Sequence, residues 1–270
     1  MHEYGKTNWE HLWEKLEQSG NVGLDYVINP LLYARILDFL ANRPKAIVAD
    51  FGCGTNLMGI QLLFGYEQSI PALADNPNVG HARFNTLLYI GVEGSQELVD
   101  QSNRYLADIG QPKNIATVQS HIDKNIRLFD EHSIDLCVSR NFLMHLSAEE
   151  LDAHFAYVAK ILKPGGAYIF ATLNPEYELR KIAELSAQCG ESAVEVQNGD
   201  RYDFMHGKTG EYGTFYHYYK TPEYWKETVE KYFKVVSKEA CRPITDKFKQ
   251  SHARYYGEEA MAEVWVLRLV

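Results

Sequence analysis

The 270-residue chain predicts a single α/β domain: a doubly wound, mostly parallel seven-stranded sheet with helices on both faces and an antiparallel last strand. Three observations carry that expectation. Short apolar, β-branched runs alternate with stretches of helical spacing. The first such run passes directly into a Gly-rich turn, and a Pro-Gly-Gly cluster separates a later helix from the run after it.

Trp9, Leu12, Trp13 and Leu16 have helical spacing, as do Leu31, Leu32, Ile36, Leu37 and Leu40, with Pro30 suited to a first helical turn. Residues 1–43, including Tyr26, are expected to form a helical lid, although Trp9 and Trp13 would serve equally as core. AIVADF after Pro44 reads as the first buried strand, LLYIGVE at 87–93 as the second, and a helix follows from Gln96 to about Ile109. IATVQ at 115–119 and IDLCVS at 134–139 are the third and fourth strands. A helix over 149–162 stops at Pro164-Gly165-Gly166, and AYIFATL at 167–173 is the fifth strand. From Asn174 to Lys220 the alternation breaks down into polar, Gly- and Tyr-bearing sequence, read as an insertion at 175–220 and not as a further domain. A helix at 222–231 and strands at 233–240 and 262–270 complete the part 221–270.

A net charge of −9 argues against general contact with nucleic-acid phosphates. No long apolar run suggests a membrane span, and the opening residues lack a signal-peptide profile, so the expected compartment is the cytoplasm. The four cysteines show no C-x-x-C or zinc-finger spacing. Free, buried thiols are expected, with Cys53 as the alternative nucleophile and no metal site.

Gly52 and Gly54 let the chain turn sharply after Asp50 and approach a ligand closely. Glu93 ends the next strand, where a carboxylate can accept from both hydroxyls of a ribose. A G-x-G alone is weak, and NAD is the natural competitor for this geometry. Its usual G-x-G-x-x-G is missing from G-C-G-T-N-L.

Taken together, VADFGCGTN at 48–56, IGVEGS at 90–95 and LKPGGAYIFATLNP at 162–175 resemble the motifs of class I S-adenosylmethionine-dependent methyltransferases, and the small-molecule branch in particular. The resemblance implies that 44–174 binds S-adenosylmethionine through Asp50, Gly52, Gly54, Asn56, Glu93 and Gly94. Asn56 stands where a third glycine is usual, tolerable because Asn enters the left-handed region. An excess at about 65–85 is expected to be an insertion covering the site. The adenine contact is left open among His121, Ile122 and Asp123, and His121 or Asp123 could equally be a helix cap. SRNFLMHL at 139–146 is similar to a stretch lining the cofactor pocket, which places Arg140 and Asn141 against cofactor and makes His145 a candidate base.

YGTFYHYY at 212–219 resembles an acceptor-side loop. Tyr212, Tyr216, Tyr218 and Tyr219, with Tyr26 from the lid, are the expected acceptor contacts, and His217 is the second candidate base. A β-hairpin whose aromatics fill a core is the competing reading. The expected reaction is methylation of O or N on a small, aromatic or natural-product-like molecule, with a protein or RNA acceptor, or a non-catalytic role, as alternatives. The expected partners are that acceptor alone, with neither nucleic acid nor membrane, and a homodimer is left open.

Overall fold

The computed structural model describes residues 28–64, 87–121, 127–188, 195–205, 214–241 and 260–270. Trp9, Trp13, Tyr26, the insertion at 65–85, Ile122, Asp123, Cys189 and Tyr212 lie outside the described residues. In chain order the elements are α1 (Asn29–Leu40), β1 (Ile47–Phe51), α2 (Leu57–Phe64), β2 (Leu88–Glu93), α3 (Gln96–Asp108), β3 (Ile115–Gln119) and β4 (Ile134–Arg140). A 3-10 turn (Leu143–His145) leads to α4 (Ala148–Ile161), β5 (Leu162–Leu173) and α5 (Pro175–Gln188). They are followed by β6 (Arg201–Met205), β7 (Thr214–Tyr218), α6 (Pro222–Glu230), β8 (Phe233–Cys241) and β9 (Ala262–Leu269).

Seven strands form one sheet in the order β3-β2-β1-β4-β5-β9-β8. The pairs from β3 through β5 are parallel, and β9 runs antiparallel between β5 and β8. The doubly wound, seven-stranded expectation with its antiparallel last strand therefore holds. Strand order reverses between β1 and β4, so a crevice is expected at the carboxyl ends of these two strands.

Helices cover both faces, which is why the central strands read as continuous apolar runs. On one face Ile36 and Leu40 of α1, Met58 and Leu62 of α2 and Leu106 of α3 pack with Val48, Tyr89, Leu136 and Ile169. On the other, Phe155 and Val158 of α4 and Trp225 and Val229 of α6 pack with Ala49, Phe51, Cys137 and Phe170. Each large side chain buried in this way contributes about 1.5–3 kcal/mol. Side chains cap the starts of several helices. Ser147 and Glu150 form a reciprocal capping box on α4, and Thr221 Oγ1 accepts from the Tyr224 N–H ahead of Pro222 on α6.

Three elements differ from expectation. α1, part of the predicted lid, is a core helix with Leu32, Tyr33 and Ile36 fully buried. β5 starts at Leu162, not Ala167, because the strand continues through an irregularity: Ile134 pairs with Leu162 but Leu136 with Ala167, and Gly165 absorbs the kink at φ +79°. The expected irregular insertion at 175–220 opens with a 14-residue helix, α5. Asn174 Oδ1 accepts from the backbone N–H of Glu176 and Tyr177, and Pro175 takes the first turn. The segment goes on to an antiparallel hairpin, β6–β7, in which Tyr202 pairs with His217. Among the described residues no helix is long and apolar enough to cross a membrane.

Candidate active site

At the end of β1 the backbone enters the left-handed region three times in five residues, at Gly52 (φ +71°), Gly54 (φ +58°) and Asn56 (φ +58°). The N–H groups of Gly52 and Cys53 both donate to Val92 O, at 2.9 and 3.2 Å, which ties the turn to β2. A Cβ on Gly52 would lie 2.5 Å from the Phe142 ring, whereas one on Gly54 would meet nothing within 4 Å. Gly52 thus makes room for the turn after β4, and Gly54 leaves its ligand side open.

Glu93 joins the two halves of this end. Its carboxylate accepts from Gly54 N–H at 2.9 Å and from Ser95 N–H at 3.0 Å. Burial pushes its pKa above the usual carboxylate range, opposed by the backbone donors of Ser95, Gly54 and Gly94 and by His121. Two carboxylate oxygens offer more acceptor sites than two N–H groups use, so capacity is left for ligand hydroxyls.

Asp50 accepts a 2.6 Å hydrogen bond from the Tyr89 hydroxyl on one oxygen. Its other oxygen, Oδ1, is buried with no hydrogen-bond partner among the described residues, and the same is true of Asn141 Oδ1 beyond β4. Burial raises the Asp50 carboxyl to about 7, against the lowering effects of the Tyr89 bond and of Arg140. A buried acceptor without a donor costs on the order of 1–3 kcal/mol, a cost that a ligand supplying an N–H would relieve.

The structure separates the remaining predicted cofactor residues. Asn56 Nδ2 donates to Ala116 O at 3.1 Å and Thr117 Oγ1 at 2.9 Å, bolting the turn to β3, while its Oδ1 is buried with no hydrogen-bond partner among the described residues. Arg140 Nη1 donates to Asn29 Oδ1 at 3.2 Å, linking β4 to α1. His121 is exposed, and its Nδ1 lies 3.3 Å from where a Cβ on Gly94 would stand. Gly91 escaped the sequence reading. A Cβ there would lie 2.5 Å from Cys53 Sγ and 2.9 Å from Asn56 Nδ2, so the turn can seat on β2 only over a glycine. Burial and the nearby carboxylates Asp50 and Glu93 raise the Cys53 thiol well above its usual pKa, which argues against the nucleophile alternative.

Beyond β4 the chain forms a second, side-chain-built cluster. His145 Nδ1 meets Tyr216 O at 2.9 Å, and the His145 and His217 rings stand 4.8 Å apart, edge to face. His217 is buried, with Nδ1 3.3 Å from Tyr202 Oη and 3.6 Å from Glu178 Oε1, and the Tyr202 hydroxyl donates to Glu178. Lys220, also buried, donates to Leu143 O at 3.3 Å and Tyr218 O at 3.1 Å. Burial lifts the Glu178 carboxyl to about 7, and it lowers Lys220 to about 8. Strand alternation sets Tyr216 and Tyr218 on the hairpin face opposite His217, and the Arg201 guanidinium lies 4.4 Å from the Tyr216 ring centroid. Tyr219, past the strand, is buried. Glu178, Tyr202 and Lys220 were missed in the sequence. Asn174-Pro175 followed by Glu176 and Glu178 is a helix-start signal that would have placed Glu178 on a helix.

Residues 80–166 match the family described as methyltransferase domain. The matched stretch runs from just before β2 to the Gly165-Gly166 turn and contains Glu93, Arg140, Asn141 and His145. Residues 80–166 thus carry the sequence pattern of a methyltransferase domain. Solved structures of low identity share the fold of this chain. An S-adenosylmethionine-dependent methyltransferase from Methanosarcina mazei superposes with a TM-score of 0.59 at 15% identity, over 87% of this chain and 97% of that one. One from Mesorhizobium loti gives 0.57 at 17% identity, over 88% and 96%. Geranyl diphosphate C-methyltransferase from Streptomyces coelicolor gives 0.53 at 14%, over 88% and 79%. No curated protein matches the sequence.

S-adenosylmethionine, the cofactor that the sequence motifs imply, would fit the donor and acceptor set at the carboxyl ends of β1, β2 and β4. Its amino group would satisfy the buried acceptors of Asp50 and Asn141. Its ribose hydroxyls would use the remaining capacity of Glu93, and the open side of Gly54 admits close backbone approach. Bound there, the cofactor supplies an electrophilic methyl group on a sulfonium.

Proposed function

We propose that this chain is an S-adenosylmethionine-dependent methyltransferase that transfers the methyl group to an O or N atom of a small, aromatic or natural-product-like molecule that must lose a proton in the reaction. The observation that carries the reading is the His145–His217 pair, 4.8 Å between ring centroids and walled by α5 and the β6–β7 hairpin. A carbonyl oxygen can only accept, so the 2.9 Å contact to Tyr216 O makes Nδ1 of His145 an N–H nitrogen, and the neutral ring then has its lone pair on Nε2. A neutral imidazole of this kind suits removal of a proton from a hydroxyl or amine as the methyl group arrives.

His145 and His217 are the proposed bases, and Asp50, Gly52, Gly54, Glu93 and Asn141 the proposed cofactor contacts. Net charge −9 supports a small acceptor over a nucleic acid. The free, buried thiols of Cys53, Cys137 and Cys241 support a reducing, cytoplasmic setting. The test is transfer of labelled methyl from S-adenosylmethionine into fractionated metabolite extract, protein and RNA. Label is expected in a small-molecule fraction, and His145→Ala and His217→Ala should each lower turnover by about 10²-fold or more. Label confined to protein or RNA would overturn the acceptor class, and full turnover by both variants would overturn the bases.

A further inference from the structure

The Glu178–Tyr202–His217 contacts come from three elements of the acceptor-side segment, α5, β6 and β7, and they form an ordered chain. Tyr202 has one hydroxyl proton, and it is directed at Glu178. Toward His217 the Tyr202 oxygen is therefore an acceptor, and the 3.3 Å contact requires a proton on His217 Nδ1. The Nε2 of His217 then carries the lone pair. A protonated Glu178 would reverse the chain. The carboxylic acid would donate to Tyr202, Tyr202 would donate to Nδ1, and the proton of neutral His217 would move to Nε2.

We propose that Glu178, acting through Tyr202, sets the tautomer of His217, so that ionised Glu178 makes His217 Nε2 a proton acceptor and protonated Glu178 makes it a donor. Both are positioning residues, and the inference rests on the reading of His217 as a base. In the productive state His217 Nε2 takes the acceptor's proton, the electron pair of the broken O–H or N–H bond forms the bond to the methyl carbon, and the S–C electron pair returns to sulfur. The imidazolium so formed holds its Nδ1–H toward Tyr202, with the Glu178 charge behind it, and the proton leaves to solvent after the product.

His217 meets Tyr202, Glu178 and, from the turn after β4, His145. Glu178 feels Lys220, whose charge favours the ionised carboxylate, and Tyr202 feels Tyr177 and Tyr219. Burial of Glu178 brings its carboxyl to about 7, so both states of the chain are reached near neutrality.

The experiment is imidazole ¹⁵N NMR of the full chain with S-adenosylhomocysteine bound, recorded from pH 6 to pH 9. For the wild type, His217 is expected to pass from the Nε2–H to the Nδ1–H form as pH rises, with its midpoint at the ionisation of Glu178. Glu178→Gln keeps an oxygen that accepts from Tyr202, so it should hold the Nδ1–H form at every pH. Tyr202→Phe removes the link and should abolish the coupled transition. A wild-type His217 with the Nε2–H tautomer at pH 9 would overturn the proposal, as would a transition unchanged in Glu178→Gln. These readouts need no acceptor. Failure to find a small-molecule substrate would sink the functional reading and leave the tautomer result standing.

Discussion

The two ends of the site are built by opposite means. Around β1 and β2 the backbone does most of the shaping: glycines at 52, 54 and 91 let chain segments approach where a Cβ would collide or close the opening, and Glu93 holds the turn through main-chain N–H groups. Around α5 and the β6–β7 hairpin the backbone is ordinary helix and strand, and the chemistry is carried by side chains, the buried Glu178, His217 and Lys220 and the half-buried Tyr202. A backbone-built site tolerates little substitution. A site of buried ionisable groups tolerates isosteric change and responds to protons.

The largest expected effect breaks the first end. Gly52→Ala places a Cβ 2.5 Å from the Phe142 ring at φ +71°, so either the turn or the segment after β4 must move. The positive φ alone costs about 1–2 kcal/mol, and the collision adds to it. Thermal unfolding should show a loss of more than about 2 kcal/mol, and calorimetry should detect no S-adenosylhomocysteine binding. An unshifted unfolding midpoint would remove Gly52 from its role.

A smaller effect sharpens the same comparison. Glu93→Ala leaves the turn its two bonds to Val92 O but removes the acceptor for Gly54 and Ser95. Loss of hydrogen bonds to a charged group, at roughly 1.5–3 kcal/mol, corresponds to about 10- to 100-fold weaker S-adenosylhomocysteine binding. Unchanged affinity would mean that Glu93 only braces the turn.

How legible each end was in the sequence follows from the same contrast. Gly52, Gly54 and Glu93 lie close to strand ends and announce themselves through residue type, because few residues other than glycine accept such backbone angles. The sheet was legible because its central strands are buried on both faces. For Asn56 the left-handed φ was foreseeable, but that its amide nitrogen would reach β3 depends on the parallel pairing of β2 with β3. Glu178 is 24 residues from Tyr202, and Tyr202 is 15 from His217. No local pattern links them, since they meet only when α5 folds back over the hairpin. The break in alternation after Asn174 hid both elements, although the Asn-Pro cap was there to be read.

The smallest effect separates the two ends by pH. Glu178 and Asp50 both have carboxyl pKa values raised to about 7 by burial, from 4.5 and 3.8. Over that interval the unfolded chain releases the proton first, so each group lowers stability as pH climbs to about 7 and has no further effect above it. His154 works the other way: burial lowers it from 6.5 to about 3, so its contribution rises with pH across that window. Lys220, lowered to about 8, acts above it. Subtracting wild type from Glu178→Gln cancels His154 and Asp50, and the difference should move in favour of the variant between pH 4.5 and 7, by at most about 1.4 kcal/mol per unit. Urea titrations across pH measure it. Saturating S-adenosylhomocysteine should leave this difference intact, because Glu178 belongs to the acceptor end, while its amino group flattens the contribution of Asp50 by pairing with the carboxylate. If ligand erased the Glu178 difference instead, the two ends would be one electrostatic unit and the division between them would fall.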